Sequence, residues 1–106
     1  MIHIELIDQN DFIVEADLDG FVYFLHFSWN SECQFWTLAI EDANSELVSS
    51  GICCMPNVDL LAQARTLRVP PGVLMAYSES GAALDRDSFV DGRAALIYKG
   101  VNDGTV

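Results

Sequence analysis

Apolar and polar residues alternate with a period of two along most of this chain. Residues 2–6 and 12–18 both follow this pattern, which is typical of β-strands with one buried face. The polar run at residues 8–11 predicts a tight connection between these two strands. Asp19 and Gly20 predict a further hairpin, because a type I′ turn needs positive φ at both central positions.

Further runs of apolar residues predict strands at 21–29, 34–41, 46–54, 73–78 and 94–99. Gly51 is expected to mark a bulge or a close backbone approach. One short helix is predicted near residues 57–65, with Asn57 as its N-cap. The sequence therefore predicts an all-β fold, a small antiparallel barrel or sandwich of about seven strands. We expect a single domain over residues 1–106, with a frayed tail at 99–106.

The predicted strands at 21–29 and 34–41 carry apolar residues on both faces. A domain of this size covers only one face of a sheet with its own core, so the second face needs another cover. Symmetric self-association is the commonest solution; the alternative is that a closed barrel or the predicted helix covers this face. Our candidate interface residues are Val22, Phe24, Trp29, Phe35, Arg65 and Arg68. The two arginines fit equally a solvated pair at the helix end or docking to an acidic neighbouring subunit.

Charge is divided very unevenly along the sequence. The first 64 residues contain eleven carboxylates and no lysine or arginine, and the net charge of the whole chain is -11. A negative field of this size repels phosphate backbones and anionic lipid and attracts cationic protein surfaces. We therefore expect no direct binding to nucleic acid. No apolar run approaches the roughly 20 residues that cross a bilayer, so we expect no membrane partner either.

The sequence offers little catalytic chemistry. It has no glycine-rich phosphate loop, and His3 and His26 are too few for a metal site unless cysteines or carboxylates converge on them. Ser28 or Cys33 could be imagined as a nucleophile with His26 as base, but no orienting acid is implied. We expect no enzymatic activity and no cofactor.

Three cysteines are present, Cys33 and the adjacent pair Cys53 and Cys54. Adjacent cysteines rarely close a disulfide, because the geometry is strained. We expect all three to be reduced and to act mainly as small apolar side chains.

Several short motifs occur in a defined order along the chain. They are Phe27-Ser28-Trp29-Asn30, the run from Phe35 to Ile40 with Asp42, Gly51, Val58-Asp59-Leu60-Leu61, Pro71-Gly72-Val73-Leu74 and Leu96-Ile97-Tyr98. This ordered set resembles the baseplate plug family of contractile-tailed bacteriophages, over roughly residues 2–99. The chain departs from the family at Asn57, where a glycine is usual, and at Cys53-Cys54.

The resemblance implies a β-rich structural protein of the tail baseplate, a plug or hub-associated subunit at the lower end of the tail tube. Its implied partners are further copies of itself in a symmetric oligomer and hub, spike or tail-tube proteins. It would be assembled in the host cytoplasm and reside in the virion. Two alternatives come from other classes. One is an acidic inhibitor that mimics DNA, and the other is a ligand-binding barrel with a pocket lined by aromatics such as Tyr23 and Phe24.

Overall fold

The computed structural model describes residues 2–64, 69–81 and 84–100. Its seven strands are β1 (Ile2–Ile4), β2 (Asp11–Leu18), β3 (Phe21–Asn30), β4 (Phe35–Asp42), β5 (Leu47–Cys53), β6 (Val73–Ser78) and β7 (Ala94–Lys99). Each lies where alternation or a run of apolar residues predicts a strand. A short 3-10 helix, Leu60–Ala64, falls inside the predicted helical region. The strands form two antiparallel sheets that do not close, so the all-β prediction is confirmed as a sandwich and not as a barrel.

The larger sheet has the order β2-β3-β4-β5, so three successive hairpins build it. Asp19 and Gly20 join β2 to β3 with φ values of 56° and 86°, which confirms the predicted turn. The next two turns are held by side chains. The Asn30 carboxamide oxygen accepts two backbone N–H groups at 3.1 Å, and the Asp42 carboxylate accepts two more at 2.9 and 3.1 Å.

A β-bulge interrupts the pairing of β4 with β5. Leu38 pairs with Ile52 and Ile40 with Ser49, so two residues of β5 face a single residue of β4. Gly51 lies in this bulge with φ of 71°, and a Cβ atom there would meet nothing within 4 Å. Of the two expectations for Gly51, the bulge is confirmed and the close backbone approach is wrong.

The smaller sheet has the order β1-β7-β6. Its first strand corrects a prediction, because β1 pairs with β7 and not with β2 across the polar connection. The alternation predicted the burial of Ile4 but not the exposure of Ile2, and it carried no information about the partner strand. Ile4 lies opposite Leu96 and is buried with it in the core. The polar connection therefore carries the chain from one sheet to the other.

Residues 56–64 run along the free edge of β6 and correct the predicted helix cap. The Asn57 carboxamide donates to the Ser78 carbonyl and accepts the Ser78 N–H, both at 2.8 Å. It therefore binds β6 and does not cap the helix. Asp59 takes that role, since its Oδ1 accepts the Leu61 N–H at 3.1 Å.

The two sheets enclose one core of buried apolar side chains. Trp36 is its largest fully buried side chain, and its indole N–H donates to the Asp85 carbonyl at 3.1 Å. The rings of Phe12 and Phe89 pack edge-on against Trp36 at 5.8 and 6.3 Å between centroids. The loop between β6 and β7 is thereby fixed to the inner face of the larger sheet.

A hydrogen-bonded link at one end of the sandwich joins the two sheets. The Tyr98 hydroxyl on β7 donates to Asp19 Oδ2 at 2.5 Å and accepts the Gly72 N–H at 2.7 Å. A Cβ atom on Gly72 would lie 2.6 Å from that hydroxyl, and one on Gly100 would lie 2.6 Å from Asp19 Oδ1. Glycine is required at position 72, where a Cβ atom would also lie 2.2 Å from the Lys99 backbone carbonyl oxygen, whereas a side chain at position 100 would displace the Asp19 carboxylate. Burial, reinforced by the bond to Asp19, raises the pKa of Tyr98.

Candidate interaction surface

The outer face of the larger sheet combines carboxylates with apolar side chains, and we call it the acidic face. Strand alternation and the hairpin registers place on it Asp11, Ile13, Glu15, Asp17, Val22, Phe24, His26, Ser28, Phe35, Thr37, Ala39, Glu41 and Leu47. This set contains four carboxylates and no lysine or arginine. Three of these carboxylates lie on β2 and one on β4, so the negative charge is concentrated toward the β2 edge.

One row of this face shows how charge and apolar surface meet. The pairing places Glu15 opposite Phe24, Phe24 opposite Glu41, and Glu41 opposite Leu47. Directly paired side chains lie roughly 5 Å apart at their Cβ atoms. Phe24 is half-buried between the two carboxylates, and Leu47 is 60% exposed. A partner that packs on this row must meet negative charge and apolar surface together.

A histidine on the same face has a partner that sequence reasoning missed. The His26 imidazole Nε2 contacts the Asp11 carboxylate across the β2–β3 pair. These two residues are fifteen positions apart, so their contact could be predicted only by someone who knew the pairing register of β2 and β3. Within residues 2–64, no hydrogen bond joins His26 to Ser28. The contact with Asp11 therefore orients the His26 ring on this face.

Of the two arginines in the described residues, Arg86 is the less exposed, and its charge is neutralised locally. The Arg86 guanidinium lies 3.0 Å from Asp8 and 3.6 Å from Asp87. It also covers the Trp36 ring, with 5.7 Å between the guanidinium carbon and the ring centroid. Arg86 thus adds packing to the β6–β7 loop and leaves the charge of the acidic face uncompensated.

The other two cations in the described residues also lie off the acidic face. Arg93 donates to Asp91 at 2.7 Å and to Asp85 at 2.8 Å. The hydrogen bond from Arg93 to Asp85 is the main reason that the pKa of Asp85 lies below its ordinary value. Lys99 is exposed at the end of β7, on the outer side of the smaller sheet. Described cations are therefore separated from the carboxylates of the larger sheet.

The six candidate interface residues do not form one patch. Val22, Phe24 and Phe35 lie half-buried on the acidic face. Val22 and Phe24 are at one end of it and Phe35 at the other, about 20 Å away at ~3.3 Å per strand residue. Trp29 faces the core side instead and packs on Trp36 at 5.4 Å between ring centroids. Arg65 and Arg68 lie outside the described residues.

Sequence reasoning did not single out two strongly exposed apolar side chains. Ile13 on the acidic face is 52% exposed, and Phe21 at the β2–β3 turn is 66% exposed. The signal for Ile13 was available, since the period of two sets it beside Glu15 and Asp17. Phe21 lies directly after the turn, beyond the reach of the opposite sheet.

The outer face of the smaller sheet contrasts with the acidic face of the larger sheet. We call it the apolar face. Its outward side chains are His3, Val73, Met75, Tyr77, Ala95, Ile97 and Lys99. It carries no carboxylate. Tyr77 is 49% exposed, and Met75 and Ile97 are half-buried.

Other site chemistry is sparse in the part of the chain that the structure describes. No group of three or more histidine, cysteine, aspartate or glutamate side chains there could hold a metal ion. All three cysteines are free thiols; burial, with a smaller contribution from Cys53, raises the pKa of Cys54 to about 12. Tyr23 and Phe24 point to opposite faces of β3, so they do not line one ligand pocket. No helix among residues 2–64, 69–81 and 84–100 has the length and apolar character needed to cross a membrane.

Comparison with known families adds the decisive observation. The family model described as cyanophage baseplate Pam3 plug gp18 matches residues 1–101. A search of curated proteins gave no match. The match spans nearly the whole sequence, including all seven strands, and it agrees with the resemblance carried by the ordered motifs. This chain belongs to the cyanophage baseplate Pam3 plug family, and it is a structural component of a phage tail baseplate.

Proposed function

We propose that this protein is the plug, or a hub-associated subunit, at the lower end of the tail tube, and that it acts through protein–protein assembly. The observation that carries the proposal is the acidic face, where Phe24 lies half-buried between Glu15 and Glu41 on the solvent side of the sheet. Apolar side chains on an outer face gain stability when a partner covers them. Membership in a baseplate plug family makes neighbouring baseplate proteins the natural partners.

The distribution of charge supports a place near the path of the genome. A negative surface repels DNA phosphates, so DNA passes it without binding. The whole chain carries a net charge of -11, so it offers DNA phosphates little positive surface even where a protein partner covers the acidic face. In this proposal the protein occupies the end of the tube without holding the DNA.

We further propose a symmetric oligomer that contacts hub, spike or tail-tube proteins and is assembled in the host cytoplasm before it enters the virion. The interface residues proposed for these contacts are Val22, Phe24, Phe35, Arg65 and Arg68, while Trp29 packs on the core side and supports the sheet from within. Val22 and Phe24 are supported best, because both are half-buried side chains on the acidic face. Native mass spectrometry of the full chain should give a closed ring or a defined complex with a hub protein. A monomer that stays single in the presence of tail proteins would contradict this part.

The role itself is tested with phage that lack the gene. We expect particles with incomplete or unstable baseplates and a large loss of infectivity, visible by negative-stain electron microscopy and plaque counts. Complementation with the wild-type chain should restore both properties, and complementation with Val22→Asp/Phe24→Asp should restore neither. Complete and infectious tails in the absence of this protein would refute the proposal.

A further inference from the structure

The free edge of β2 is the feature that points to a specific kind of partner. In the larger sheet β2 pairs with β3 on one side, and none of the described strands pairs with its other side. The Trp29 N–H donates to the Asn10 carbonyl at 2.7 Å, so even-numbered residues of this segment bond to β3. Antiparallel ladders alternate, and the backbone groups of Ile13, Glu15 and Asp17 therefore point to the free edge.

This edge borders a groove of about 500 Å³. Residues of β1 form one wall and residues of β2 form the other, and β1 is itself an edge strand of the smaller sheet. Val14 and Ala16 line the groove from the core side, while Glu5, Glu15 and Asp17 add negative charge. The groove thus has a strand edge on each side and an apolar floor.

Proteins usually protect such edges from pairing with other chains by lysine, proline or a bulge. None of these occurs between Asp11 and Leu18; the outward positions hold carboxylates and Ile13 instead. Two β2 edges can pair only through their odd-numbered residues. Every antiparallel register that joins five or more residues of each strand then places one carboxylate directly opposite another. Like charges in that position are destabilising, so self-pairing at this edge is disfavoured.

A strand that carries lysine or arginine would replace these carboxylate–carboxylate repulsions by attractive charge pairs. We propose that the β2 edge binds an extended segment of a partner protein that carries lysine or arginine at alternate positions, which adds as a fifth strand to the larger sheet. Its backbone would bond to the edge groups of Ile13, Glu15 and Asp17, and its cations would pair with the carboxylates. An apolar residue would lie opposite Ile13, which is 52% exposed. The inference deepens the proposed function, because it specifies the chemistry of one assembly partner.

The test uses the full chain and short synthetic peptides. One peptide alternates lysine with valine and threonine, a second replaces each lysine by glutamate, and a third is the lysine peptide with alternate backbone nitrogens methylated. The lysine peptide should bind at least about 10-fold more tightly than the glutamate peptide at low salt, because three attractive charge pairs take the place of three repulsive ones. The amide NMR signals of Ile13, Glu15 and Asp17 should shift, and the methylated peptide should not bind.

Two variants make the result specific. Ile13→Pro removes one edge N–H while all carboxylates remain, and we expect it to lose peptide binding. Ile13→Ala keeps that N–H and should bind within a few-fold of wild type. Should Ile13→Pro fail to fold by circular dichroism, the double variant Glu15→Lys/Asp17→Lys serves instead, and it should prefer the glutamate peptide. Equal binding of the two peptides to wild type, or shifts confined to residues away from β2, would overturn the inference. Phage that lack the gene would report on the baseplate role independently of this outcome.

Discussion

The two sheets of this protein share one core but present opposite surfaces. The acidic face of the larger sheet has four carboxylates, whereas the apolar face of the smaller sheet has none and ends at Lys99. Both faces hold half-buried apolar side chains, such as Phe24 on one and Ile97 on the other. The two faces therefore differ in charge, although both carry apolar side chains.

This comparison explains where the negative charge of the chain resides. The cation-free first 64 residues supply every strand of the larger sheet, so its carboxylates have few cations nearby. The carboxylates of the loop before β7 are different, since Asp85, Asp87 and Asp91 contact Arg86 or Arg93. The net charge of the chain does not show that the carboxylates without cationic partners are concentrated on one face. The two faces are suited to partners of different chemistry.

The largest expected effect tests whether both sheets depend equally on the shared core. Leu38 of the larger sheet and Leu74 of the smaller sheet are each fully buried. Leu38→Ala and Leu74→Ala should each lower the free energy of unfolding by about 2–5 kcal/mol, through lost burial and a residual cavity. Urea denaturation followed by tryptophan fluorescence measures this loss. A cost under about 1 kcal/mol for Leu74→Ala alone would mean that the smaller sheet is not integral to the fold.

The link between the sheets should have an intermediate effect. Tyr98→Phe leaves the Asp19 carboxylate and the Gly72 N–H without their shared hydroxyl, which should cost about 1–3 kcal/mol. Tyr77→Phe is the matched control, because that tyrosine is exposed on the apolar face, and it should change stability little. If both substitutions cost the same, the link does not stabilise the sandwich.

The link also predicts a dependence on pH. Folding raises the pKa of Tyr98 above its ordinary value near 10. Just above pH 10, the Tyr98 hydroxyl is therefore still protonated in the folded protein but ionised in the unfolded chain. Stability from this group is thus complete below about pH 10 and is lost as the pH rises further. The stability difference between wild type and Tyr98→Phe should shrink above that pH. A constant difference from pH 8 to pH 11 would contradict the assignment.

The smallest effect on folding is expected from the acidic face itself. Glu15→Gln/Glu41→Gln should change the free energy of unfolding by no more than about 0.5 kcal/mol, because neither carboxylate has a cationic partner in the described residues. The same variant should nevertheless weaken association with a cationic partner. A stability loss above about 1 kcal/mol would show that these charges serve the fold and not an interface.

The contrast between the faces also shows what could be predicted from the sequence. All seven strands followed from alternation or from runs of apolar residues, and the outward position of Val22 and Phe24 followed from alternation, since both signals depend only on local order. The pairing of β1 with β7 and the bonds from Asn57 to Ser78 did not, because both join residues distant in the sequence. For the same reason, the charge run predicted an acidic protein but not that one sheet would carry the charge.

Carboxyl footprinting of the protein in intact virions tests the central claim most directly. A water-soluble carbodiimide and an amine label exposed carboxylates, and mass spectrometry locates each label. We predict that Glu15 and Glu41 on the acidic face react readily in the isolated full chain and are strongly protected in assembled baseplates, while exposed Glu79 in the loop after β6 provides the comparison within the same molecule. Equal labelling of Glu15 and Glu41 in the two states would contradict the assignment of this face as an assembly surface.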